Sequence, residues 1–198
     1  MIDTDPVKGA STPDRIIEAT LRLMTERGLG GVTMKAIAET AGVARQTLYN
    51  HFGDVESIVA QAIEAHRIES LAALRGVLAT IEYPLARLEH LVRHSAAGAV
   101  HHHPFVGIQH SLSASVQATL LRHDSEVLSI IEDALKAGIA GGDLRADVDV
   151  KRDAHLMKRM LDAVAELVST NPEEVQDAVA AATRTLLASV TARGAGTS

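Results

Sequence analysis

The sequence predicts an all-α chain of about nine helices, with a compact three-helix unit near its start and a larger helical bundle after it. Apolar residues recur at helical spacing almost throughout, and no run alternates as a half-buried strand would. Hydroxyl or amide caps, prolines at first helical positions and glycines after last ones punctuate that spacing. Hydrophobic residues are 46% of the 198, enough to bury a sizeable core.

The first helix is expected from Thr12 as N-cap, with Pro13 at its first position, Ile16, Ile17, Leu21, Leu23 and Met24 as its stripe, and Gly28 closing it. Thr33 opens a short second helix that turns Ile37 and Ala41 inward. Gly42 and Val43 make a tight turn, and a third short helix covers about 45–51. Gly53 and Asp54 end it and cap a long fourth helix, with Ile58, Val59, Ala62, Ala65, Ile68 and Leu71 inward to about residue 79. Pro84 starts a fifth helix through Leu88, Leu91 and Val92, and 97–104 reads as irregular. Two more helices are expected at about 106–121 and 125–140, separated at His123-Asp124. Gly141-Gly142 stops the run, and 143–149 is a polar connector. Helices at about 151–169 and 172–192 finish the chain, the last opened by Asn171 as cap, Pro172, and Glu174 at the third position. Residues 1–12 and 194–198 read as disordered tails, 13–53 as one domain and 54–193 as another.

No cysteine is present, which excludes disulfides, thiolate zinc sites and thiol redox sensing and fits a reducing interior. No stretch approaches the roughly 18 continuous apolar residues of a membrane span, and the polar start does not read as a signal peptide. A cytoplasmic protein is expected, with no membrane partner. The net charge of −6 does not advertise a nucleic-acid binder. Even residues 1–60 carry six basic against eight acidic side chains, so any DNA contact must rest on where a few cations sit.

Residues 33–52, TMKAIAETAGVARQTLYNHF, carry the strongest signal. Two short helices with a glycine at the turn between them make a helix-turn-helix, whose second helix enters the major groove. Ala38 is small where the helices cross, and Val43 and Leu48 are apolar where the pair packs on the first helix. Arg45, Gln46, Thr47 and Asn50 then face outward, and Arg and Gln side chains suit guanine and adenine edges. Tyr49 and His51 offer donors to phosphate, while Thr33 and Lys35 sit at a helix N-terminus that favours an anion. The alternative is a helix-turn-helix used only for packing, which leaves the exposed polar set unexplained.

The run RIIEATLRLMTERGLGGVTMKAIAETAGVARQTLYNHFGDVE, from Arg15 to Glu56, resembles the DNA-binding domain of the TetR (tetracycline-repressor-like) family over about a quarter of the chain. The resemblance rests on the L-x-x-x-x-G-x-x-x-x-T frame, the I-A-x-x-A-G-V turn and the T-L-Y-x-H-F ending. It implies phosphate contacts from Thr33, Tyr49 and His51, base contacts from Arg45 and Gln46, and a helical effector-binding and dimerisation domain beyond residue 60. The GDLRADVD segment at 142–149 is similar to the family as well. One departure stands out. Relatives often carry a phosphate-clamping lysine where this chain has Val55 between Asp54 and Glu56, so a shallower salt dependence of DNA binding is expected.

The last two helices offer Met157, Leu161, Val164, Val168, Val175, Val179, Ala182 and Leu186 as an apolar stripe. It serves either packing within one bundle or, as the family context favours, an isologous homodimer contact. Ten histidines include His90 and His94 one turn apart, the triplet at 101–103, His110 and His123. A transition-metal site is one reading, giving a metal-sensing regulator as the alternative function. Without cysteine and with few nearby carboxylates, no metal ligands and no cofactor are assigned. The other reading places some of these histidines in a small-molecule effector pocket lined by Leu91, His94, Phe105, Gln109, His110, Leu156 and Met160. Only Tyr83 and Phe105 supply aromatic rings there, so an aliphatic pocket is expected, suited to a flexible apolar or mildly acidic molecule. An enzyme is not expected: phosphate-cradling loop, nucleophile elbow and paired carboxylates are all missing. The expected function is a repressor that binds a near-palindromic double-stranded DNA operator as a homodimer and is released by its effector.

Overall fold

The computed structural model describes residues 11–100 and 114–191, with the side chains of 99, 100 and 115 left aside. Among them are eight α-helices: α1 (Thr12–Arg27), α2 (Met34–Ala41), α3 (Arg45–His51), α4 (Val55–Thr80), α5 (Pro84–Val100), α6 (Ala114–Gly141), α7 (Val150–Thr170) and α8 (Val175–Val190). Two short 3-10 turns, Leu29–Gly31 and Pro172–Glu174, precede α2 and α8. No strand forms among the described residues beyond one antiparallel bridge, Leu144 to Thr191. The all-α expectation holds.

Two compact units divide these residues, one from 11–68 with 114–119 and the other from 69–100 with 120–191. In the first, α1 packs on α2 and α2 on α3. Its core includes Ile16, Leu23, Met24, Ile37, Leu48, Phe52, Ile58 and Ile63. In the second, α5 packs on α7 and α8, and α7 on α8, around Leu88, Val92, Ile131, Leu135, Leu161 and Leu186.

Several details differ from the sequence-based expectation. Ser11 rather than Thr12 caps α1, because its hydroxyl accepts from the Asp14 N–H while the Asp14 carboxylate accepts from the Ser11 N–H. The buried stripe of α4 runs Ile58, Val59, Ala62 and Ile63, then Leu71, Leu74 and Leu78, leaving Ala65 and Ile68 exposed. Helix α5 continues through the stretch expected to be irregular as far as Val100. No break falls at His123-Asp124: α6 runs unbroken from Ala114 to Gly141, and the expected helix start at about 106 lies outside the described residues. Nothing there breaks a helix, and Asp124 is engaged from outside it by the Lys158 ammonium of α7 at 2.9 Å. At the last helix, Asn171 makes no side-chain cap and Pro172 leads into a 3-10 turn, so α8 starts at Val175.

The largest correction concerns the apolar stripe of α7 and α8. Met157, Leu161, Val164, Val168, Ala182 and Leu186 are buried in the protomer's own core, with Val175 and Val179 half-buried against it. The stripe's buried members lie on the inner face where α7 and α8 meet each other and α5, and they offer little surface to a second copy. Val175 and Val179 stay partly exposed, and Met157 reaches the edge of an outer groove. The outer face of α7 instead carries Leu156 and Leu167, 63% and 41% exposed, with Ala163 exposed between them. Leu156, expected in an effector pocket, thus points away from the core. It lines an open groove with Met160, Thr185, Ser189, Arg145 and Arg152.

Candidate nucleic-acid interface

The α2–turn–α3 segment is fixed from below. Leu48 is fully buried, and Phe52, directly after α3, is buried too, so α3 is anchored by one face. Arg45, Gln46, Tyr49, Asn50 and His51 are exposed on the rest of it, with Thr47 half-buried. Tyr49 is 55% exposed, which leaves much of a large amphipathic side chain open to solvent. Gln46 donates from Nε2 to Asn50 Oδ1 at 3.1 Å across one turn, aligning two amides on one side of the helix. The His51 ring lies beside Phe52, with centroids 6.3 Å apart.

Thr33 is exposed and caps α2, its hydroxyl oxygen accepting from the Ala36 N–H at 3.1 Å. Its hydroxyl hydrogen can still be donated outward. Lys35, one turn from Glu39, has its Nζ 3.9 Å from that carboxylate, both side chains about two-thirds exposed. A pair this open leaves the ammonium able to turn to a stronger anion. The eight residues singled out from the sequence thus belong to α3 and to the N-terminal end of α2, every one at least partly exposed.

The N-terminus of α4 offers less to an anion. Asp54 accepts from the Ser57 N–H at 2.7 Å. That backbone bond, aided by the Ser57 hydroxyl, holds its carboxyl below the usual carboxylate range. A fixed negative charge therefore caps the N-terminus of α4, and Val55 supplies no cation to offset it.

The turn depends on a residue to which the sequence pattern assigns no role. Gly42 adopts a left-handed conformation, φ 64° and ψ 41°, and its N–H bonds the Ala38 carbonyl. The Val43 N–H reaches the same oxygen at 3.0 Å. From α1, Arg15 Nη2 donates to the Ala41 carbonyl at 2.6 Å and to the Gly42 carbonyl at 3.3 Å. A partner 26 residues away leaves no trace in local spacing.

In the second unit, Leu91 is buried in the core and His94 half-buried beside His90, their ring centroids 6.2 Å apart. Burial lowers the pKa of both, aided by the nearby Arg93 charge at His90 and by His90 at His94. His94 is thus a neutral hydrogen-bonding group at pH 7. Met160 is half-buried, packed against the core and reaching the outer groove. Phe105, Gln109, His110 and the triplet at 101–103 lie outside the described residues. Among the described residues, no three histidine or carboxylate groups come together to hold a metal ion, and no helix is long and apolar enough to cross a membrane.

Comparisons with known proteins agree with this geometry. Residues 16–62 match the family described as bacterial regulatory proteins, tetR family. The HTH-type transcriptional repressor KstR2 of Mycolicibacterium smegmatis is 28% identical over 155 residues, covering 76% of each chain. A transcriptional regulator of Saccharomonospora viridis solved with choline superposes with a TM-score of 0.82 at 20% identity, covering 91% of this chain and 98% of that one. FadR of Bacillus subtilis, solved with stearoyl-CoA, gives 0.73 at 17% identity over 87% and 96%. Residues 16–62 are thus a DNA-binding domain of the tetR family, and the helix-turn-helix, the helical second unit among the described residues and the KstR2 relative support a TetR-family regulator.

Proposed function

We propose that this regulator is a repressor that binds a near-palindromic operator as a homodimer and leaves it when a small molecule occupies its second unit. The observation that carries the proposal is α3 itself, sealed on one face by Leu48 and open on the other with Arg45, Gln46 and Asn50. Arg45 and Gln46 read base edges; Thr33, Lys35, Thr47, Tyr49 and His51 hold phosphates and set the register. Two copies bind through the outer faces of α7 and α8, where Leu156, Ala163, Leu167, Ala181 and Ala188 are exposed. Small residues on α8 let the partner helices approach closely, and a two-fold contact puts the two α3 helices about 34 Å apart, one DNA turn.

Residues 54–193 supply the effector site, with Leu91, His94 and Met160 as candidate walls among the described residues. Neutral His94 donates one hydrogen bond to a carbonyl or carboxylate. The neighbours solved with stearoyl-CoA and with choline hold very different molecules. A quaternary ammonium is best held by aromatic faces, and Tyr83, 69% exposed at the start of α5, makes no cage. The effector of this chain is accordingly an apolar, acyl-like molecule. Helix α4 contributes residues to both units, so an effector that favours one arrangement of the second unit shifts the DNA-binding equilibrium through it.

The test is protection of the DNA immediately upstream of its own coding region, with Arg45→Ala as control. Two-fold protection lost in that variant and relieved by long-chain acyl compounds but not by choline is the expected result. Weak binding indifferent to Arg45→Ala would overturn the assignment of α3.

A further inference from the structure

The three-residue path from α2 to α3 sets where α3 points, and its first residue has the widest backbone freedom of any amino acid. Gly42 sits at φ 64°, and Ala44 is extended directly ahead of α3. One peptide plane lies on each side of its Cα. The Ala41 carbonyl belongs to the plane before it and the Gly42 carbonyl to the plane after it. Arg15 donates to both, at 2.6 and 3.3 Å, from a half-buried position on α1. Rotation about φ moves the first plane relative to Cα, and rotation about ψ moves the second. One guanidinium nitrogen bonded to both oxygens restrains both angles at once, and its fixed place in a planar group loses less freedom in doing so than an ammonium on a flexible stem. The fit is close: a Cβ added at Gly42 would stand 3.3 Å from the same Nη2.

From this geometry we propose that Arg15 is a positioning residue for DNA recognition, locking the Gly42 hinge so that α3 presents its side chains to base edges in a single orientation. The proposal rests on the assignment of α3 as the reading helix. Base contacts require placement within about 0.5 Å and 10–20°, whereas phosphate attraction tolerates a tilted helix. A loosened hinge thus costs sequence discrimination before it costs general affinity.

The experiment uses the full chain. A duplex is selected by the wild-type protein from random sequence, and binding to it and to a scrambled duplex is measured at several salt concentrations for wild type, Arg15→Ala and Arg15→Lys. In Arg15→Ala, affinity for the selected duplex falls at least about tenfold, the size of one lost bidentate base contact. Scrambled-duplex affinity stays within about twofold and the salt slope is unchanged, because no phosphate contact is removed. Arg15→Lys keeps an aliphatic stem and a cationic donor group without the planar fork, gives an intermediate loss, and serves if the alanine variant does not fold. Equal losses on both duplexes, with the slope reduced by about one, would make Arg15 a phosphate contact and overturn the proposal; no loss on either would overturn it as well. If the wild type selects no sequence, the assignment of α3 fails separately. The hinge is then judged by hydrogen exchange at the Val43 amide, which accelerates in Arg15→Ala if the lock exists and is unchanged if it does not.

Discussion

Leu161 and Leu156 stand on opposite sides of α7, the first enclosed by the protomer core at 4% exposure and the second 63% exposed. Truncating each to alanine separates the inner face from the outer. Leu161→Ala removes a core side chain and leaves a cavity, which costs the protomer about 2–5 kcal/mol. Leu156→Ala costs the isolated chain within about 0.5 kcal/mol, as for other surface changes. A partner that covers the outer face must bury what Leu156 leaves open. Full burial of a leucine is worth roughly 2 kcal/mol, so the exposed part amounts to about 1 kcal/mol after the retained Cβ is allowed for. A two-fold contact counts it twice, giving about 2 kcal/mol and a dimer about thirtyfold weaker. Sedimentation velocity over a protomer concentration series reads the dimer constant, and urea unfolding at one fixed concentration reads stability. The reasoning fails if Leu161→Ala dissociates the dimer without loss of stability. It fails equally if Leu156→Ala lowers protomer stability by 2 kcal/mol while self-association is unchanged.

Gly42→Ala places a Cβ in a left-handed conformation, at a cost of about 1–2 kcal/mol; Gly42→Asn recovers part of it, and thermal unfolding of the two variants should rank them in that order. Val55→Lys adds the cation that the start of α4 lacks beside Asp54, and the log–log salt slope of DNA binding steepens by about one; an unchanged slope would place α4 away from the phosphates. Stability also depends on pH through His90 and His94. Both pKa values are lowered in the folded chain, so below about pH 6.5 the unfolded chain binds more protons than the folded one. Their contribution is complete above the unfolded value and declines as pH falls through it toward the folded values. Urea midpoints at pH 7.5 and 5.5 should therefore drop more for the wild type than for His94→Gln, and equal drops would show that burial of His94 does not matter.

The helices were legible in the sequence because burial on one face imposes a period, and the helix-turn-helix because its turn needs a left-handed glycine and its base needs apolar residues at fixed steps. Periodicity shows that a face is buried without showing by what. Met157, Leu161, Val164 and Val168 form an apolar stripe whether α5 or a second copy covers it. The outer residues Leu156, Ala163 and Leu167 are too widely spaced among Arg159, Glu166 and Thr170 to register as a stripe of their own. His123-Asp124 read as a break because polar pairs often cap helices, yet Asp124 has a partner on α7 that no local pattern reveals. Arg15 was hidden for the same reason. A cation on an amphipathic helix reads as solvated unless the carbonyls it meets, far along the chain, are in view.

The connector before α7 has a bearing on genetics. The Arg145 N–H donates to the Val190 carbonyl at 2.9 Å, its Nη2 donates to the Ser189 carbonyl at 2.7 Å, and Leu144 bridges to Thr191. Leu144 in turn is buried against Gly138, where an added Cβ would come within 2.6 Å of its side chain. The final turn of α8 is thus stitched to a segment some 45 residues earlier. A premature stop codon just ahead of Ser189 removes every one of those anchors and leaves Leu144 with an open flank. Such an allele is expected to yield a chain that is degraded before it can pair with a full-length one. It should then behave as a recessive loss, unlike a missense change on α3, whose folded product would enter the proposed homodimer and act dominantly.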